Sequence, residues 1–247
     1  MPRYLLKISY CGTGYCGWQV QPNGTSVQGK ICDALEKFLN EKTSATGCSR
    51  TDSGVHAKEF YLHFDTERDL KNVNVPDGVN FYLPEDIRAI SCKKVSDDFH
   101  ARYSAKGKTY VYRIYNNRIF SPFEVGFAYH EKRMLDVEKM KTAAKSFVGE
   151  YNFSAFCSAG SSVTDKVRNI TFCNVEKLGD IVEITVTANG FLYNMVRIIA
   201  GTLIEVGRGS IPDNSVKSII LSENRDNAGM TAPPEGLYLT KVFYEVE

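Results

Sequence analysis

One short segment carries most of the chemistry legible in this chain. Cys48-Ser49-Arg50-Thr51-Asp52-Ser53-Gly54-Val55-His56-Ala57 sets a carboxylate between a cation two residues earlier and a Ser-Gly turn. Turn backbones and hydroxyls supply hydrogen-bond donors that hold a carboxylate ionised and aimed at a substrate, where it can act as a nucleophile or stabilise developing charge. Asp-Ser-Gly is also an ordinary turn sequence, and residue chemistry alone leaves both readings open. A second pattern, Gly12-Thr13-Gly14-Tyr15-Cys16-Gly17, satisfies G-x-G-x-x-G directly after a strand-like run. A dinucleotide site needs its third glycine to open a helix whose N-terminal amides face the pyrophosphate. Here Trp18 to Gly24 intervenes before Ser26, so these glycines are expected to form a flexible loop. Trp18, the only tryptophan, suits the core, or, beside Gln19 and Gln21, the face of a nucleotide. His56, His63, His100 and His130 build no ligand cluster with the cysteines, and no metal site is expected.

The elements that must position these residues occur in an order that repeats. Tyr4, Leu6, Ile8 and Tyr10 alternate as in a strand, and Val27, Ile31, Leu35 and Phe38 follow at helical spacing. After the Asp52 segment come an alternating run at Phe60, Leu62 and Phe64, a weakly helical stretch from Leu70 to Leu83 closed by Pro84, and a strand near Ile87 to Val95. The sum is β-α-β-β-α-β. Beyond Ser104 to Gly107, Tyr110, Tyr112 and Ile114 alternate, and a helix is expected from about Asp136 to Phe147. Strands follow near Val167–Val175 and Val182–Ala188, helices over about Leu192–Val206 and Ser215–Leu221, and a closing strand from Leu239 to Val246. Two successive split βαβ units predict an α+β chain of two ferredoxin-like, RRM-like halves, residues 1–104 carrying the Asp52 loop and residues 105–247 carrying Tyr110, Arg197 and Leu237. Within the 192–206 helix, Tyr193 and Arg197 share one face while Met195, Ile199 and Val206 bury another.

Composition excludes several classes. With 247 residues and 43% hydrophobic content the chain folds around real cores. No apolar run spans a bilayer, and Met1-Pro2-Arg3-Tyr4 lacks the layout of a signal peptide, so a cytoplasmic protein without membrane contact is expected. Seven dispersed cysteines, with no CxxC pair, fit a reducing compartment rather than a disulfide framework. A net charge of +1 declares no polyanionic partner globally, so any nucleic-acid affinity must be local. Lys106, Lys108, Arg113 and Arg118 around the Tyr110 strand are candidates for phosphate contact, as are Lys132, Arg133, Lys139, Lys141, Lys145, Lys166 and Arg168.

Arg50-Thr51-Asp52-Ser53-Gly54-Val55-His56-Ala57 resembles the signature of the TruA family of tRNA pseudouridine synthases. Further segments of that family follow in the same order along nearly the whole chain: Gly17-Trp18-Gln19, Asp98-Phe99-His100-Ala101-Arg102, Tyr110-Val111-Tyr112, Phe191-Leu192-Tyr193-Asn194-Met195-Val196-Arg197 and Glu235-Gly236-Leu237-Tyr238-Leu239. The resemblance implies a pseudouridine synthase fold, two α/β halves whose sheets join across a central basic cleft, a homodimer, and an isomerase without cofactor acting on uridines on the 3′ side of the tRNA anticodon stem-loop. Residue by residue, it implies Asp52 as nucleophile, Arg50 as the residue that opens the base stack, Tyr110 as the ring packed on uracil, Arg197 as partner of the nucleophile, and Leu237 as an apolar wall. On residue type alone Tyr110 reads as a core strand tyrosine and Arg197 as a solvated arginine on an apolar helix.

The chain departs from the family at Ser49, where a glycine often stands, at Glu59-Phe60 in place of a Gly-Gln pair, and at Tyr193, where many members carry histidine. These spare the reactive groups and bear on which uridines are used. Two other classes remain open: a non-catalytic RRM-like RNA-binding module, which needs exposed sheet aromatics, and a dinucleotide-dependent enzyme using the Gly12–Gly17 loop.

Overall fold

The computed structural model describes residues 1–22, 24–161 and 163–245, which divide into two compact units. The first comprises Met1–Lys106 and the strand segment from Tyr238, the second Gly107–Leu237.

In the first unit, β1 (Arg3–Tyr10) buries Tyr4, Leu6, Ile8 and Tyr10 on one face, as their period-two spacing requires. The helix α1 (Val27–Leu39) starts at Ser26, whose hydroxyl accepts the Gly29 N–H at 3.1 Å, and stops at Asn40, left-handed with φ 53°. Its buried stripe is Val27, Ile31, Ala34, Leu35 and Leu39, each large aliphatic contributing about 1.5–3 kcal/mol by leaving water. Then follow β2 (Thr46–Gly47), β3 (His56–Asp65), α2 (Val75–Asn80) and β4 (Ile87–Val95). The strands lie in the order β4-β1-β3 with β2 on β3, antiparallel throughout. That is the split βαβ pair the alternation predicts. The helix expected over 70–83 shrinks to the six residues of α2, started by Asn74 and Pro76. Its interior Gly78 lets Phe38 lie where a Cβ would stand, 2.1 Å from the ring. Trp18 is core, its ring 4.3 Å from that of Phe60, so it does not face a nucleotide.

The second unit runs β5 (Ala105–Tyr115), β6 (Tyr129–His130), α3 (Val137–Ala144), β7 (Gly149–Asn152), β8 (Val167–Leu178), β9 (Ile181–Ala188), α4 (Met195–Gly207) and α5 (Val216–Ser222). Its strands order as β5-β9-β8-β7, again antiparallel, with β6 parallel to the end of β5. Nearly every residue of α4 is buried, including Ile198, Ile199, Leu203, Ile204 and Val206, as befits a helix that is apolar all round. Gly201 admits the Met230 carbonyl oxygen 1.8 Å from where a Cβ would be, so nothing larger fits that turn. The chain closes with β10 (Leu237–Tyr244), which pairs parallel with β3 at Tyr238↔His56 and Leu239↔Ala57. The closing strand expected over 239–246 is thus found, except that Val246 lies outside the described residues. None of the helices among the described residues is long and apolar enough to cross a membrane.

Residues 96–104, which join β4 to β5, have little regular structure and are tied by side chains. Arg3 pairs with Asp65 and donates to the Phe99 carbonyl at 2.8 Å, and Tyr244 donates to the Ala101 carbonyl at 2.5 Å. The Ala101 N–H donates to His63 Nδ1 at 3.1 Å, which requires that nitrogen to be unprotonated. Burial, then the charges of Arg3 and His100, push the His63 imidazole down to about 4. Between pH 6.5 and about 4 the unfolded chain therefore binds a proton that the fold refuses, and stability falls as pH falls through that window. His63→Gln keeps an acceptor for Ala101 and removes the titration. Thermal unfolding at pH 7 and pH 4.5 should show the parent losing roughly 2–4 °C more than this variant, the shift that about 1 kcal/mol makes in a chain of this size. Equal losses would remove His63 as the cause.

Candidate active site

Asp52 sits half-buried at the end of an irregular segment that immediately precedes β3. The loop around it is held from both sides. Its own turn closes through the Val55 N–H donating to the Asp52 carbonyl at 3.2 Å, with Gly54 at φ 80°. From β1, the Tyr10 hydroxyl and the Thr51 hydroxyl share a buried hydrogen bond of 2.8 Å. From the loop after β1, Trp18 N–H donates to the Thr51 carbonyl at 3.1 Å, while the Tyr15 carbonyl accepts from Ser53 Oγ at 3.1 Å and from the Gly54 N–H at 3.3 Å. His56 completes the brace: its Nδ1 accepts the Gly12 N–H at 3.1 Å, and its ring stacks on Tyr238 at 4.6 Å.

This changes the reading of the Gly12–Gly17 pattern. The loop is a close-fitting support rather than a flexible segment. A Cβ on Gly12 would lie 2.0 Å from the Val55 carbonyl oxygen, and one on Gly17, at φ 102°, 2.5 Å from that of Thr51. Only glycine allows two backbones to approach so closely. Gly14 meets nothing within 4 Å. No helix opens at Gly17, since α1 begins at Val27, and the space a pyrophosphate would need is filled by the Thr51–Val55 backbone. The dinucleotide reading therefore fails. Gly12, Gly17 and His56 brace the Asp52 loop, a part that sequence reasoning passed over; the signal was a glycine pair leaving the strand that lies beside that loop.

Arg50 is exposed, two residues from Asp52 in the same unit. The other expected residues belong to the second unit. Tyr110, on β5, is buried and meets Phe191 edge to face, ring centres 5.0 Å apart at 84°. Leu237 is buried at the start of β10. Arg197 lies in the first turn of α4, half-buried, with Nε donating to the Ala232 carbonyl at 2.7 Å and Nη1 to Asn194 Oδ1 at 2.9 Å. The helix starts at Met195, later than expected, because Asn194 is left-handed at φ 60°. Tyr193 thus lies outside the helix, 48% exposed, and shares no helical face with Arg197. Several candidate phosphate-binding cations are spent on carboxylates: Arg113 on Glu124 and Glu183, Lys106 on Glu245, Lys139 on Asp136, Lys141 on Glu138. Among the described residues no three of His, Cys, Asp and Glu converge as metal ligands would.

The departures at residues 59 and 60 have structural work. Glu59 accepts from Lys7 at 2.6 Å and from the Val242 N–H of β10 at 3.0 Å, while Phe60 is fully buried against Trp18 and Tyr10.

Two α+β units of mainly antiparallel sheet, one presenting a carboxylate on a braced loop, place the chain among α+β proteins of the pseudouridine synthase fold. Residues 143–245 match the family described as tRNA pseudouridine synthase. The chain is 46% identical over 239 residues to the protein named tRNA pseudouridine synthase A 2 of Clostridium perfringens, covering 97% of this chain and 98% of that one. It is also 46% identical to tRNA pseudouridine synthase A of Caldicellulosiruptor saccharolyticus, covering 99% of this chain and all of the other. A tRNA pseudouridine synthase A 2 of Clostridium tetani is 43% identical over 97% of each. A solved Cbf5–Nop10–Gar1 complex aligns over 97% of this chain and 59% of that one at 13% identity with a TM-score of 0.37, too distant a likeness to bear on the fold. The chain belongs to the tRNA pseudouridine synthase A family.

If the glycine contacts hold the Asp52 loop, Gly17→Ala should cost about 1–3 kcal/mol in urea unfolding, through a positive φ and a backbone clash together. Gly14→Ala should stay within about 0.5 kcal/mol of the parent. Similar values for the two variants would show that close approach is not what Gly17 provides.

Proposed function

We propose that this protein isomerises uridine to pseudouridine in tRNA, on the 3′ side of the anticodon stem-loop, with Asp52 as the nucleophile. The observation that carries this reading is identity of 43–46% along almost the whole chain with proteins named tRNA pseudouridine synthase A. The braced, half-buried carboxylate of Asp52 supports it. In the reaction the bond between N1 and C1′ breaks, one between C5 and C1′ forms, C5 loses a proton and N1 gains one. Nothing is oxidised or hydrolysed.

The base must first leave its stack, at a cost of a few kcal/mol that cations and aromatic surface offset. Exposed Arg50 is assigned to that step and Tyr110 to packing on the extruded uracil, with Leu237 as an apolar wall of the pocket. Arg197 is assigned as partner of Asp52: a guanidinium held against a carboxylate keeps it ionised and oriented. A subset of the lysines and arginines is assigned to phosphate, which makes binding salt-sensitive and shape-directed. The protein is further proposed to work in the cytoplasm as a homodimer. Seven free thiols suit a reducing compartment, and exposed Ile119, Phe123, Val125 and Phe127 on the second unit suit a protein surface.

Asp52→Asn should fold and bind unmodified tRNA as the parent does, yet form no pseudouridine on site mapping, because a neutral amide cannot take the covalent or charge-stabilising role. Substantial turnover would remove Asp52 as the nucleophile.

Tyr110→Ala should lose far more activity than Tyr110→Phe, by about tenfold or more, since packing needs the ring face more than the hydroxyl. Equal damage in both variants would give the hydroxyl a chemical role, and parent-like rates in both would make Tyr110 purely a core residue.

A further inference from the structure

We propose that Asn194 is a positioning residue for the reaction, its carboxamide fixing the guanidinium of Arg197. The inference rests on the reading of Arg197 as partner of the nucleophile and adds the device that orients it.

Three observations lead there. First, Arg197 occupies the first turn of α4, which contains no acidic residue. A helix N-terminus carries the positive end of the macrodipole, so a cation there opposes the helix rather than supporting it. Second, two of its three guanidinium nitrogens are held within the unit: Nε by the Ala232 carbonyl at 2.7 Å and Nη1 by Asn194 Oδ1 at 2.9 Å. Residue 232 also donates its N–H to the Arg197 carbonyl at 3.0 Å, so the same segment clamps backbone and side chain. Two fixed nitrogens on a planar group leave it a single orientation.

Third, Asn194 is misused as a helix cap. The positive-φ residues other than glycine are Asn40, Asn194 and Glu223 among those described; Asn40 and Glu223 end helices, where that conformation is ordinary. Asn194 instead begins one, where extended backbone is the rule, and its side chain makes no capping bond. A good capping side chain has been turned away from the helix and toward a guanidinium. The amide orientation follows from its partners: arginine can only donate, so Oδ1 must face it, leaving Nδ2 to donate to Ser158 Oγ at 2.9 Å. Ser158 is in turn anchored by its N–H on the Tyr193 carbonyl at 3.1 Å. The carboxamide is thus locked at both ends, and strain retained at such a point is characteristic of functional sites.

The test is Asn194→Gly, which keeps the left-handed backbone without strain and deletes only the carboxamide. Were Asn194 merely a turn former, this variant would match or exceed the parent in every assay. The expected result is a Tm equal to or above the parent's, a tRNA Kd within about twofold, and a single-turnover rate of pseudouridine formation lower by about tenfold or more. In 15N-arginine spectra, the Arg197 Nε–H signal, assigned by its loss in Arg197→Lys, should show restricted rotation in the parent and averaging in Asn194→Gly. In the Arg197→Lys background, Asn194→Gly should change the rate by less than about twofold, since the two act as a unit. A parent-like rate in Asn194→Gly, or losses that simply add in the double variant, would overturn this inference while leaving Arg197 in its role. A parent-like rate in Arg197→Lys would overturn the assignment of Arg197 as well.

Discussion

The position of Asp52 depends on a contact that excludes side chains. The carbonyl oxygen of Val55 lies 2.0 Å from where a Cβ on Gly12 would stand, and that of Thr51 lies 2.5 Å from one on Gly17. Two loops are thereby pressed backbone to backbone, with the carbonyls of Tyr15 and Thr51 accepting the hydrogen bonds that the turns leave unmatched. Both loops grow from neighbouring strands. β1 ends at Tyr10, β3 begins at His56, and Tyr10 pairs with Ala57 across the ladder. A slip of one residue in that register would turn every apolar side chain to the wrong face. The core that sets the register therefore also sets where the carboxylate is presented, and burial of Leu6, Ile8, Phe60 and Leu62 fixes its place without touching it.

The second unit solves a different problem, that of presenting a cation from an apolar helix. α4 is buried on nearly all sides, so its position is held by packing over its whole length. Its N-terminal turn is then free to carry an arrangement the helix itself does not favour: a left-handed Asn194, no side-chain cap and an arginine at the positive end of the dipole. Local preference and global packing disagree there, within a fold that is otherwise consistent from pattern to packing.

The legible parts of the fold were those where one local period decides the structure. β4 runs from Ile87 to Val95 as its alternation indicates, and α1 buries the stripe its spacing draws. What was not legible turned on partners distant in sequence. Glycines at 12 and 17 carry the same letters whether they permit motion or close approach, and only the Thr51–Val55 backbone distinguishes the two. The apolar run from Leu192 continues the period of α4, so nothing local marks the left-handed Asn194 that delays the helix to Met195. Residues 70–83 look weakly helical, yet only Val75–Asn80 form α2, with Gly78 in its interior, where glycine disfavours helix. Of the candidate site, Asp52 and its loop were visible as a motif; the brace behind it, a tertiary contact, was not.

The departures from the family pattern can be placed on the same map. Glu59 satisfies the Val242 N–H of β10, and Phe60 fills the core beneath Trp18. β3 and β10 pair in parallel at Tyr238 and Leu239, and a carboxylate from β3 reaching the Val242 amide extends the bonding of β10 further along the strand. Lys7 on β1 holds that carboxylate at 2.6 Å, which fixes it in place. Substitution at 59 and 60 therefore changes how the closing strand is fastened, and His56, which stacks on Tyr238, feels the fastening directly. Tyr193 is different in kind. It stands outside α4, 48% exposed, with its carbonyl anchoring Ser158. Its backbone is committed to the carboxamide network around Asn194, while its ring is left to solvent. A change of side chain there alters the exposed surface and leaves the held arginine as it was.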